Sequence, residues 1–466
     1  MERSFLIQIL RTLSAAELIA LRKWLHSPVH NLRNDVAELM SLLITALRNG
    51  GPLPVKEDLY RQLFPDKPYD NREFNLIITY LTRQTEQFLA FREWQQDEAQ
   101  QKLYACRALH KRGLNQLVER DLQALEQKHH AGSHRHGEFF LFEYRLHGEK
   151  FAAQNRQQRK NLEQMANGVR GAIQSVSTFF LVEYLRWLCT AESLRSQAPS
   201  AMDGALPMTD AVLAYVAQLP AEANPTPVVL YHCYLALTNP EDEANYLRLK
   251  ELIGRYGRLF PPTECRDLYM IAINFCIRRH NRGDRHYTRE AFDWYREALS
   301  DNLLLENSIL PHSTYTNIHN LAHLNGEHAW AREFLDRYAP SLPADTRENI
   351  YRYNLATYHF RQGQYDRVLE LLQHTDFPDL FMHLDARKML LRAYFERGEW
   401  LALASLLDSF SVFLRRQKRS GYHLENYRNL VHFVRQLLKR GRNTGLAEMI
   451  RNTPAVAERD WLLSKV

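Results

Sequence analysis

Residues 351–373 read YRYNLATYHFRQGQYDRVLELLQ, and their pattern decides the fold. Leu355, Ala356 and Tyr358 recur at helical spacing, Gly363 interrupts, and Tyr365, Val368, Leu371 and Leu372 then recur at helical spacing again. Glycine takes a left-handed backbone without steric cost, so it predicts the end of one helix and an immediate return by the next. The pattern recurs 35 residues later as RKMLLRAYFERGEWLALASLLDSF, with Gly398 and Trp400 standing where Gly363 and Tyr365 stood. It also recurs 37 residues earlier as TYTNIHNLAHLNGEHAWAREFLDRY, around Gly326 and Ala331.

These three copies, residues 313–413, resemble the tetratricopeptide repeat: a helix–turn–helix of ~34 residues with a small residue in each helix and a turn glycine. Looser copies surround Gly283, where three extra residues precede Ala291, and Gly113; a last weak one turns at Gly441. FFLFEYRLHGEKF at 139–151 and FFLVEYLRWLCTA at 179–191 are similar at a spacing of 40, which predicts longer, irregular helix pairs. One pair cannot bury its apolar face alone, so the expected architecture is all-α: an irregular tetratricopeptide-like α-solenoid over 98–466, clearest at 313–413.

Residues 1–97 differ in character and are expected to form an N-terminal helical cap. Ser14 with Glu17 predicts a capping box, Ser27-Pro28 a helix end, and a second helix follows from about Asp35 to Leu47. Phe74, Ile77, Ile78, Leu81, Phe88 and Leu89 predict a long amphipathic helix. The combination of WLHSPVHN with LYRQLFPDKPYDNREFNLIITYLTRQTEQFLAF resembles a group of uncharacterised bacterial proteins of similar length, which brings no mechanism with it.

The composition agrees with helices. Glycine and proline number only 18 each in 466 residues, and 24% of residues are charged. No apolar run approaches the ~18 residues that would suggest a membrane span. Arg11 interrupts the first apolar patch before a signal-peptide core can form, so a cytoplasmic location with no membrane partner is expected. Cys106, Cys189, Cys233, Cys265 and Cys276 contain no CxxC pair and sit in apolar helical patterns, as reduced core thiols would.

No catalytic motif is present: no HExxH, no phosphate loop, no GxSxG and no GxGxxG after a strand. The sequence therefore gives no reason to expect an enzyme, a cofactor or a metal. His129, His130, His134 and His136 in KHHAGSHRH could ligate an ion, or could simply be solvated. Helices 55–64 and 71–93 could form a helix-turn-helix offering Arg72, Asn75, Thr79 and Arg83 to DNA, or could pack as a cap.

Net charge is +6, but residues 412–442 hold nine Lys/Arg against one acid, which leaves the remainder net acidic. Projected on a helix, Arg428, Arg435, Lys439 and Arg442 form a basic ridge opposite Tyr427, Val431, Val434, Leu437 and Leu438. Such a ridge could contact phosphates or serve only solubility. The tetratricopeptide resemblance implies a concave groove that binds a peptide. Within it Asn320 and Asn354 match the family's carboxylate-gripping asparagines, whereas Thr316, Asp385 and Met389 stand where that clamp carries cations. Arg361 and Arg392 lie near by, and Tyr353, Phe360 and Phe395 could anchor an apolar partner or pack between repeats. The expected function is a noncatalytic protein–protein scaffold or adaptor that holds a cytoplasmic protein or peptide. The alternative is a nucleic-acid-associated regulator.

Overall fold

The computed structural model describes residues 4–48, 53–155, 162–202, 204–373, 377, 379–417, 422–440 and 444–466. Among them the fold is all-α, without a strand, and no helix is long and apolar enough to cross a membrane. The chain divides into two compact units: residues 1–132 with 138–177, and residues 133–137 with 178–466.

The first unit opens with α1 (Phe5–Thr12), α2 (Ala15–Leu25), α3 (Asn34–Arg48), α4 (Lys56–Leu63) and α5 (Asn71–Gln96). The capping box is present: Ser14 Oγ accepts from Glu17 N at 3.3 Å, and Glu17 Oε2 accepts from Ser14 N at 2.8 Å. Leu21, Met40, Leu43, Phe74, Ile77 and Leu81 are fully buried in one core, and Trp24 Nε1 donates to Gln84 at its rim (3.1 Å). Next come α6 (Glu98–His110), α7 (Asn115–Ala131), α8 (Gly137–Asn155) and the first part of α9 (Leu162–Gln197), whose residues from Thr178 on belong to the second unit. α6 and α7 close a second, smaller core around Leu103, Val118 and Leu122, to which Leu146 of α8 contributes.

In the second unit α10 (Thr209–Val216), α11 (Pro225–Thr238) and α12 (Glu243–Tyr256) precede the hairpins. These are α13 (Pro262–Asn281) with α14 (His286–Ser300), α15 (His312–Leu324) with α16 (His328–Tyr338), α17 (Arg347–Arg361) with α18 (Tyr365–Leu372), and α19 (Leu380–Arg397) with α20 (Trp400–Arg416). α21 (Tyr422–Arg440), α22 (Thr444–Asn452) and α23 (Arg459–Ser464) complete it. Throughout this run each helix packs chiefly on its chain neighbour or the next but one.

One turn is used five times. Gly113, Gly283, Gly326, Gly363 and Gly398 all have φ between +69° and +99°. In each case the following N–H reaches back to the carbonyl five residues earlier, as Gln364 N does to His359 O (3.0 Å) and Glu399 N to Tyr394 O (3.0 Å). This bond satisfies a helix-end carbonyl and reverses the chain at once. The position seven residues before the glycine is buried in every copy: Cys106, Cys276, His319, Ala356 and Leu391 are at most 1% exposed. A sixth turn of the same type, after α14, uses Asn302 (φ +55°) and was not legible as a repeat.

Tyrosines cross-tie α12, α13 and α14. The buried Tyr246 hydroxyl donates to Glu290 (2.7 Å) and accepts from Trp294 Nε1 (2.9 Å) and Cys276 Sγ (3.2 Å). Tyr269 donates to Glu297 and Tyr287 to Glu243, each at 2.7 Å. All five cysteines are buried and unpaired, and burial pushes the Cys189 and Cys276 thiols up to about 12.

Candidate functional site

The groove residues expected from the sequence lie on α15, α17 and α19, and the structure sorts them into three kinds. Asn354 is fully buried. Its Nδ2 donates to Thr316 Oγ1 (3.2 Å) and to Ile350 O (2.9 Å), while its Oδ1 meets no donor. Asn320, six residues before its turn glycine, stays half-buried, whereas Asn354 stands nine before its own. Of the two asparagines only Asn320 reaches the surface. Tyr353 is also buried, and its hydroxyl donates to Asp385 Oδ2 (2.9 Å).

Phe360, Arg392 and Phe395 come together on a surface that the chain itself occupies. The segment leading into α23 places Glu458 against Arg392 (2.6 Å) and Lys388 (3.7 Å). The Arg392 guanidinium lies between the Phe360 and Trp461 rings, 5.1 and 5.6 Å from their centroids. Phe395 meets Trp461 edge to face at 5.2 Å, and Trp461 Nε1 and Lys465 Nζ both donate to Glu396. Nothing near 388–396 in the sequence signals Glu458 or Trp461, which lie more than sixty residues away.

What remains open is the pair Asn320 and Arg361. Arg361 Nη2 donates to Asn320 Oδ1 (3.1 Å), and no carboxylate lies within ion-pair distance of its guanidinium among the described residues. Arg361 touches solvent along its side chain, yet surrounding protein crowds the guanidinium and pushes its pKa down; Asp385 opposes that shift from a distance.

Two histidines border this pair, and sequence reasoning missed them. His319 is fully buried, with neither ring nitrogen hydrogen-bonded, and its pKa is pushed down to about 3 by burial, then by Arg361 and His323. His323, whose Nδ1 lies 3.1 Å from His328 Nδ1, is pushed down to about 4 by burial, then by Arg361. At neutral pH both rings are uncharged, so Arg361 carries the local charge alone. The signal was available: His319 fills the slot that Ala356 and Leu391 fill in the neighbouring copies.

The basic ridge is largely engaged. Arg435 pairs with Asp408 (2.7 Å) and donates to Leu407 O (3.2 Å), and Arg428 donates to Leu414 O (3.3 Å). Lys439 is exposed, while Arg442 and the turn at Gly441 lie outside the described residues. On α5, Arg72, Thr79 and Arg83 are exposed, and Asn75 accepts from Lys56 Nζ (2.8 Å). The histidine cluster is dispersed into separate contacts. His129 stacks on Phe139 (4.0 Å), His130 meets Glu143 (2.8 Å), and His134 and His136 face each other at 6.3 Å. No group of three His, Cys, Asp or Glu among the described residues is placed to hold a metal.

Comparison of the chain with protein-family models and with curated proteins finds no match. Around Asn320 and Arg361 the structure gathers a donor-rich cation, an amide and two neutral imidazoles.

Proposed function

We propose that the protein is a noncatalytic adaptor, a tetratricopeptide-like solenoid with an N-terminal helical cap, which binds an acidic segment of a partner protein at Asn320 and Arg361. The observation that carries this reading is the uncompensated guanidinium of Arg361. Arg361 is exposed, so a partner can reach it, and desolvation lowers its pKa, so a carboxylate beside it would offset that cost. A partner's Asp, Glu or terminal carboxylate would be that group, and the planar guanidinium suits bidentate contact with it. The repeated turn and the neighbour-to-neighbour packing support the solenoid, a scaffold whose rigidity limits the ordering entropy lost on association. Five unpaired cysteines fit a cytoplasmic setting. The basic ridge gives less support to the nucleic-acid alternative, because Arg428 and Arg435 already have acceptors within the chain.

The test is a display library of short peptides, half rich in Asp and Glu and half in Asn and Gln, selected on the full chain and on Arg361→Gln. The acidic half should enrich on the wild type and lose roughly thirtyfold in affinity on the variant, as for a central interface arginine. Equal enrichment of both halves, or retention of the acidic half by the variant, overturns the proposal.

A further inference from the structure

A second arginine lies away from that surface, in a cavity of about 380 Å³ walled by α18, α19 and α20. Among the described residues, Arg387 is the only Lys or Arg on its lining, and no Asp or Glu lines it. Arg387 Nη1 is buried without a hydrogen-bond partner, whereas Nε donates to His383 Nε2 (2.8 Å). The nearest acid along α19, Asp385, is engaged by Lys388 and Tyr353 instead. Burial lowers the Arg387 pKa.

The guanidinium is also held still. It lies over the Phe413 ring (5.0 Å to the centroid) and the Phe410 ring (5.7 Å), and His383 stacks on Phe413 at 4.6 Å with 12° between planes. Cation–π contact orients the fork but supplies no acceptor for a buried N–H. The rest of the wall divides into hydroxyls, Ser405 and Ser409, and an apolar side of Leu390 and Leu406. The volume falls in the range of small-molecule sites, ~300–1,000 Å³, and exceeds what a bare ion fills.

We infer that this cavity binds a small organic anion, with its carboxylate or phosphate head on Arg387 and its apolar body against Leu390 and Leu406. The fork of N–H donors matches either head group, and Ser405 adds a hydroxyl beside it, the Ser409 hydroxyl being donated to Leu406 O (3.0 Å). The site is separate from Arg361, so it stands whether or not the chain binds acidic partners.

The experiment is calorimetric titration of the full chain with phenyl phosphate, phenylacetate and neutral benzyl alcohol. One of the two anions should bind saturably and better than benzyl alcohol, and the better anion identifies the head group. Arg387→Gln should weaken that anion roughly ten- to hundredfold, the value of a charged hydrogen bond. Ala402→Leu, which keeps Arg387 but adds bulk at another lining position, should weaken it as well and serves as the test if Arg387→Gln misfolds. Binding of neither anion, equal binding of benzyl alcohol, or unchanged affinity in the folded variants overturns the inference.

Discussion

His319 makes the stability of the α15–α17 region depend on pH in a calculable way. Its ring binds a proton with a pKa of about 3 in the folded chain and ~6.5 when unfolded. Below ~6.5 the unfolded state therefore holds more protons, and stability falls as the pH drops from there toward the folded value. Between pH 8 and pH 5 the loss from this ring is about 2 kcal/mol. His323 shifts in the same direction and adds to the slope. His319→Leu removes the titration, and it also removes two buried nitrogens that lack partners.

The assay is hydrogen exchange of peptides covering residues 312–361, corrected for intrinsic rates, in wild type and variant at several pH values. Subtracting the variant cancels the contributions of the other histidines. The wild type should lose about 2 kcal/mol of local stability relative to His319→Leu between pH 8 and pH 5. A difference that stays constant across that range would refute the assignment of a buried, neutral, unbonded imidazole.

Two further outcomes follow from backbone and hydroxyl geometry. Gly363→Ala meets no atom within 4 Å, so its cost is that of a left-handed alanine, about 1–2 kcal/mol, whereas Gly254→Ala inside α12, also unobstructed, should gain about 0.5–1 kcal/mol; urea unfolding reads both. Tyr246→Phe removes the acceptor of Trp294 Nε1 and the donor to Glu290, and should cost about 1–3 kcal/mol, with a change in tryptophan fluorescence that a purely global effect would not localise.

The hairpins were legible because each is written within one short stretch. Gly326, Gly363 and Gly398 each sit between two apolar-periodic segments, and the backbone bond that closes the turn spans only six residues. Asn302 makes the same turn, but asparagine is less bound to the left-handed region than glycine, so its sequence carries no comparable mark. The candidate site was half legible. Asn320 was singled out by its match to the tetratricopeptide clamp and Arg361 by its nearness to it, but the same match also offered Asn354, whose burial depends on Thr316 and Ile350 packed around it. The occupation of Arg392 and Phe395 by Glu458 and Trp461 was not legible, because a contact across sixty-six residues leaves no periodic trace.

That contact also has a consequence in time. Almost all packing in the second unit joins elements close in the chain, so each hairpin can settle soon after its residues are synthesised. The face of α19 is one exception: Arg392 must wait for Glu458, sixty-six residues later. At translation speeds of ~5–20 residues per second, that wait is about 3–13 s. For those seconds a nascent chain carries Arg392 and Lys388 without Glu458, and Phe395 without the indole that later covers it. The last helix thus acts as a late-arriving lid over a charged and aromatic surface, and its delay defines the interval in which the ribosome-bound protein is most open to wrong company.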